Sequence, residues 1–351
     1  MIETQDLRAA VQRGLITEAQ AAALTGLADA RVQARMRVAD GEEPFVLFKG
    51  FNEIFIVIGL TILFAGWVGA STILGANVFE PGGADTILIA LATLAGLGWV
   101  QRYFTITRRM IAPSIALVVM AALTSLTLGW ALADLSGLEN IGAQIVGAGV
   151  VAGVMGLHYR LFRVPFAVAI LATAVFVLVW ALLAAAGVVP GGWPNLLHMS
   201  KNGPLAALSI VFGLACFALA MRFDMSDPHR VSTRAMTGFW LHVVAAPAII
   251  NTVAVRLLDG GQAGQLALMI VLLALALVAI VIDRRSFLVS GAGYAVWLIF
   301  TLFDGSAVVI VFLGLGLVLL GAQWERLRGA IMRGLPEFRG KDRLPPYGSI
   351  Q

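Results

Sequence analysis

Long uninterrupted apolar runs constrain this chain more than any other feature. Residues 164–189, for example, contain no charged side chain. About 20 apolar residues in a helix cross the roughly 30 Å of a bilayer's hydrocarbon. Inside lipid every backbone N–H and C=O must find a partner within the chain, which leaves α-helices or closed β-barrels. Barrel strands are about ten residues of alternating polarity. The runs here are longer and continuous, so the sequence predicts an all-α, polytopic membrane bundle. Composition agrees: only 13% of the 351 residues are charged, against about 25% in soluble domains.

The runs divide the chain into three parts: a polar segment (1–49), a membrane domain (50–323) and a basic tail (324–351). Ten spans are expected, at 51–74, 85–101, 111–133, 141–157, 164–189, 204–221, 236–258, 265–282, 287–303 and 306–323. Of the 24 Lys and Arg, all but Lys201 and Arg256 fall in the N-terminal segment, alternate loops and the tail. Cytoplasmic loops retain Lys and Arg, so both termini are expected inside. This topology accounts for the net charge of +4 without a nucleic-acid partner. Ten helices split into five plus five of opposite orientation, the arithmetic of inverted-repeat transporters, although no matching motif joins the two halves.

The N-terminal segment reads as a helical hairpin. Leu7, Ala10 and Val11 share one face, and Gly14 followed by Leu15 suits a left-handed helix end. Thr17 and Gln20 have the spacing of a capping box. The hairpin is either a cap on the membrane domain or a docking site for a cytosolic protein. In the tail, Arg326, Arg328 and Arg333 alternate with Leu327, Ile331 and Leu335. That pattern predicts a helix lying on anionic headgroups, passing into extended chain at Pro345 and Pro346.

Tryptophans fit the same topology. Trp99, Trp130, Trp193, Trp240 and Trp324 fall near span ends, where indoles favour the interface. Trp67, Trp180 and Trp297 lie deeper and are expected between helices. Gly66 with Gly69, Gly149 with Gly153, and Gly314 with Gly316 are candidate close-packing steps.

The candidate site lies in residues 204–258. Arg222, Asp224, Asp227 and His229 crowd the loop between the sixth and seventh spans. They suit a hard metal or a substrate carboxylate. Alternatively they serve structure: Ser226 or Asp227 caps the next helix, Pro228 fills its first turn, and the aspartates pair with Arg222, Arg230 or Arg234. In the seventh span, His242 is an ionisable group within a membrane helix, by default a functional hypothesis. Pro247 frees the Val243 carbonyl. Asn251 shares a face with Pro247 and Trp240, and His242 points about 180° away. At most one of His242 and Asn251 can face a given cavity from this helix. Asn52 and Glu53 stand at the mouth of the first span, either as a gate or as acid and amide at a helix N-terminus.

The sequence contains no HExxH, P-loop or nucleophile elbow. Cys216 is the one cysteine, so no intrachain disulfide forms. No cofactor is expected, and no enzymatic activity. The Gly14-Leu-Ile-Thr-Glu-Ala-Gln20 stretch, the polar hairpin before the spans, the 222–247 region and the 324–346 tail resemble uncharacterised bacterial multi-pass membrane proteins grouped as a domain of unknown function. The resemblance implies a bacterial inner-membrane location and carries no activity. Two functions are therefore expected: a small-solute permease or exporter first, a non-transporting scaffold or sensor second.

Overall fold

The computed structural model describes residues 7, 10–11, 13–17, 20, 51–73, 82–192, 194–195, 202–228, 230, 232–285, 291–296, 300, 307–338 and 340–347. Among these residues every regular element is helical. Eight helices are long and apolar enough to cross a membrane. They are α1 (Phe51–Ile73), α2 (Gly83–Gln101), α3 (Ala112–Leu135), α4 (Ile141–Phe162), α5 (Phe166–Ala185), α6 (Gly203–Asp224), α7 (Thr233–Leu258) and α8 (Gly261–Ile282). Two more follow: α9 (Ala307–Ala322) and the tail helix α10 (Trp324–Gly334). These eight correspond to the first eight expected spans. The ninth, 287–303, lies mostly outside the described residues, and so does any comparison of the two five-helix halves. The tenth expected span, 306–323, contains α9, which is not among the eight: its 16 residues reach about 24 Å, short of the roughly 30 Å of hydrocarbon.

Helix ends run past the apolar stretches because local chemistry sets them. Asn202 caps α6, its side chain accepting from Leu205 N at 3.2 Å, with Pro204 in the first turn. Pro113 opens α3, and the buried Glu53 of α1 reaches across to accept from Ala112 N at 3.2 Å. Glu53 therefore caps a neighbouring helix rather than only its own. α2 continues into a wider π-turn, Arg102–Thr107, where Gln101, Thr105 and Ser114 join in a chain of hydrogen bonds. α4 and α8 end on non-glycine residues in the left-handed conformation, Arg163 (φ 55°) and Asp283 (φ 56°).

The described part of the N-terminal segment has the expected local geometry. Gly14 is left-handed (φ 71°), and its N–H and that of Leu15 close on Val11 O and Ala10 O at 2.9 and 3.0 Å. Thr17 and Gln20 exchange both hydrogen bonds of a capping box, at 2.9 and 3.2 Å. The rest of the hairpin lies outside the described residues.

From α2 to α8 successive helices pack against one another, most weakly between α5 and α6; α7 also packs against α5, and α1 packs against α3 more than against α2. The core begins between α3, α4 and α5, around Val118, Met155 and Ala167. It continues through the fully buried Trp180 to Leu205 of α6, then to Ala246, Ile250 and Ala279 between α7 and α8. Trp67 is 41% exposed and donates to Thr93 of α2, so it lies less deeply than expected.

The glycine steps expected from spacing do not make the close crossings. A Cβ placed on Gly66, Gly69, Gly149, Gly153, Gly314 or Gly316 would meet nothing within 4 Å. The tight points are elsewhere. A Cβ on Gly129 of α3 would lie 2.6 Å from the Cα of Gly147 in α4, and one on Gly213 of α6 would lie 2.7 Å from Ile249 of α7. GxxxG spacing marks a flat helix face, but whether a neighbour rests on it is a tertiary matter.

Candidate functional site: a buried two-acid hub

α6 ends on Asp224, which is only 5% exposed. Its carboxylate can approach α7 because Gly238 stands opposite. A Cβ there would lie 2.3 Å from Asp224 Oδ1 and 3.2 Å from the Ala220 carbonyl. Four residues on, on the same face of α7, the wholly buried His242 brings Nε2 to 2.9 Å from Asp224 Oδ2. The third member, Arg284, follows the end of α8 and is 1% exposed. Its Nε donates to Asp224 Oδ2 at 2.9 Å, one Nη2 hydrogen goes to Asp224 Oδ1, and Nη2 also donates to Ala235 O at 3.0 Å. The guanidinium fork fits a carboxylate with two parallel bonds. One acid thus joins the ends of α6 and α8 to the first turns of α7.

A second acid lies next to it. Asp283 turns left-handed to end α8, a conformation that aspartate tolerates better than most residues. Arg230 binds it twice, through Nη1 to Oδ2 at 3.0 Å and Nη2 to the backbone carbonyl at 2.5 Å. Trp324 Nε1 donates to Oδ1 at 2.7 Å, and Arg328 Nε stands 4.0 Å from the same oxygen. Arg285 stacks over the Trp324 ring at 5.5 Å. Asp283 therefore joins the α6–α7 loop and the tail to the end of α8.

The tail is folded against this hub. Arg328 Nη1 and Nη2 donate to Pro346 O and Pro345 O at 2.8 and 2.6 Å. Those bonds hold the described residues 335–338 and 340–347 back against α10, with Met332 and Leu344 buried. Lys341 adds to this by donating to Leu335 O at 2.9 Å and Glu337 at 3.0 Å. Burial lowers the Arg328 pKa, and the charge of Asp283 opposes that shift. The expected row of three lipid-facing arginines is corrected here. Arg326 and Arg333 are exposed, but Arg328 is enclosed by the protein because two proline carbonyls, which lack helical donors, claim its hydrogens. Trp324 likewise faces Asp283 and not an interface.

The loop and helix candidates separate differently from the sequence grouping. Asp224 leaves the loop set and joins His242. Arg222 is exposed. Asp227 works locally, its Oδ2 accepting from Ser232 N and Oγ at 2.8 and 2.7 Å. Ser232, not Ser226 or Asp227, caps α7, and α7 starts at Thr233, beyond Pro228. His229 lies outside the described residues. Asp224 pairs with Arg284 and not with the nearby loop arginines. Among the described residues no three His, Cys, Asp or Glu side chains converge on a metal position.

The other face of α7 is as the 180° argument requires. Trp240 packs edge-on to Phe166 at 4.6 Å. Pro247 and Asn251 are exposed, and Asn251 Oδ1 accepts from the Tyr294 hydroxyl. Ser209 of α6 donates to Ala248 O at 3.0 Å and receives Thr252 Oγ1 at 3.1 Å, a polar stitch beside the proline. Sequence reasoning missed Arg284, Asp283 and Gly238. One signal was legible: in the alternating topology, Asp283 and Arg284 end a span on the same side as Asp224. Compared with family models, curated proteins and solved structures, the chain matches none of them.

Proposed function

We propose that this is a polytopic protein of a bacterial inner membrane, both termini cytoplasmic, acting as a non-transporting scaffold or sensor. Its working surface is the tail-bearing face, with the N-terminal hairpin as partner site. The observation carrying this reading is the Asp283 hub, which fixes loop, span and tail in one arrangement. His242, the strongest intramembrane candidate for a solute pathway, is enclosed between Asp224 and Phe217. A cavity among the described residues, between α3, α4 and α5, has an almost wholly apolar lining and lies away from His242 and Asn251. Leu15, 73% exposed beside the capping box, offers an apolar contact for a partner. The permease reading draws on one observation, Pro247 inside α7 with Asn251 and Tyr294 joined on the same outer face.

Complementation of a deletion strain separates the two. Asp283→Asn is expected to lose complementation while the protein remains in the membrane, with the tail more sensitive to protease. Asn251→Leu and Pro247→Ala are expected to complement. The opposite pattern rejects the scaffold in favour of the permease.

Topology is tested by impermeant thiol labelling. Cysteines at Leu138, Val188 and Asp259 are expected to react from outside, and those at Arg108 and Arg326 only after permeabilisation. Cys216 is buried and gives a silent background. Outside labelling at Arg326 would reverse the orientation.

A further inference from the structure

A cavity of about 330 Å³ opens between α3, α4 and α5, lined by Val119, Leu123, Trp130, Gln144, Ile170 and Val177 among others. Small-molecule sites span about 300–1,000 Å³, so its size suits a ligand. Nearly all of the lining is carbon. The polar side chains of the lining are Gln144, Trp130 and Thr173, and the Thr173 hydroxyl is taken up by Ala169 O at 3.0 Å. The Gln144 Oε1 atom is buried and has no donor within the protein. An unmet acceptor in an apolar wall is unfavourable, and a ligand donor would relieve it.

Depth orders the lining. Gln144 is three residues into α4, about 4–5 Å below its start, and the turn before it holds the exposed Asp134 and Glu139 with no Lys or Arg. From Trp130 back to Val119 the α3 wall runs about 16 Å towards the middle of the span. Val119 and Leu123, one turn apart, are 39% and 53% exposed. The cleft thus carries its polar groups near the start of α4 and is apolar further in, with Val119 and Leu123 exposed along its side. A soluble solute has no complement here. An acyl chain does, and an ammonium head carrying N–H donors supplies what the Gln144 oxygen lacks.

We propose that this cleft is a binding site for a membrane phospholipid with a primary-ammonium head. One acyl chain lies along α3, and the head donates to Gln144. The inference is independent of the scaffold reading, because it uses neither the Asp283 hub nor the tail.

The test uses the full chain in bilayers containing an ethanolamine phospholipid with a photoreactive diazirine at mid-chain. Adducts are expected at Val119, Leu123 and Ile170, enriched about fivefold, a preference of roughly 1 kcal/mol, over α1. That helix is mostly exposed, with Glu53 and Ser71 its buried residues, and contributes nothing to the cleft lining. Ala122→Phe, which plugs the cleft, is expected to remove the enrichment while α1 labelling is unchanged. Gln144→Leu is expected to keep chain labelling but abolish any preference over a choline probe, whose head has no N–H. Even labelling of α1 and α3, or enrichment that survives Ala122→Phe, overturns the site. Equal labelling of the wild type by ethanolamine and choline probes overturns the head-group assignment. If Ala122→Phe does not fold, unlabelled ethanolamine lipid must compete the wild-type enrichment away, and failure to compete is equally fatal.

Discussion

Arg284→Met is expected to cost about 3–5 kcal/mol of unfolding free energy, the range for removing one partner of a buried ion pair. Arg284 supplies Asp224 with a two-pronged contact and gives Ala235 O an extra donor. Methionine fills comparable space but leaves a buried carboxylate held only by His242. The loss is therefore mainly the cost of stranding a charge. A second variant separates these effects. Asp224→Val with Arg284→Met removes both charges, and apolar replacement of a whole buried pair is often neutral or stabilising. The double variant is expected to recover part of the loss, since the buried His242 Nε2 then lacks its Asp224 partner. Arg284→Lys is expected to fall between, because an ammonium keeps the charge but lacks the planar fork. Denaturant unfolding in detergent, followed through tryptophan fluorescence, reads all three. A single-variant cost below about 1 kcal/mol, typical of exposed pairs, would show that the contact contributes little.

Gly129→Ala is expected to be a strongly damaging conservative change at the α3–α4 crossing. The added Cβ would lie 2.6 Å from Gly147 Cα, with Gly147 N and O at 3.3 Å. Those are backbone atoms of a packed helix, so no side-chain rotation relieves the contact, and α3 and α4 must separate. Overpacking a close-packed core costs about 1–3 kcal/mol or more, and separation also removes contacts around Val118, Val151 and Met155. Gly149→Ala, within the GxxxG step, is the control. Nothing stands within 4 Å of that position, and alanine favours a helix by up to about 1 kcal/mol over glycine. A fall in thermal midpoint for Gly129→Ala alone is the expected result. Equal falls for both would place the α3–α4 contact at the GxxxG step.

Apolar runs locate α1 to α8 to within a few residues because the same property that crosses lipid drives the helix. The ends differ where polar chemistry takes over. α7 starts at Thr233, not 236, because Ser232 caps it and Asp227 tethers Ser232. α4 runs five residues past 157 to Phe162, where Arg163 turns left-handed. The relative placement of His242 and Asn251 was legible because it depends only on 3.6 residues per turn. The pairing of Asp224 with Arg284, 60 residues away, was not. Nearby arginines offered equal charge, and only the packing of α6, α7 and α8 selects among them. The close crossing at Gly129 was hidden for the same reason: spacing within one helix says nothing of its neighbour.

Asp283 also imposes an order of events on the growing chain. A ribosome makes Asp283 well before Trp324, which follows 41 residues later, and Arg328 comes later still. Arg230 is already available when α8 leaves the translocon, so the acid meets a cation early. Its indole and second guanidinium arrive only after the tail emerges. Until then α8 has to keep its left-handed end with part of its final set of donors. The bundle thus closes at that face from the C-terminal side, and the residues translated last complete a span inserted earlier. A chain interrupted just before the tail would carry all of α1 to α8 and leave Asp283 with Arg230 but without the indole and the second guanidinium.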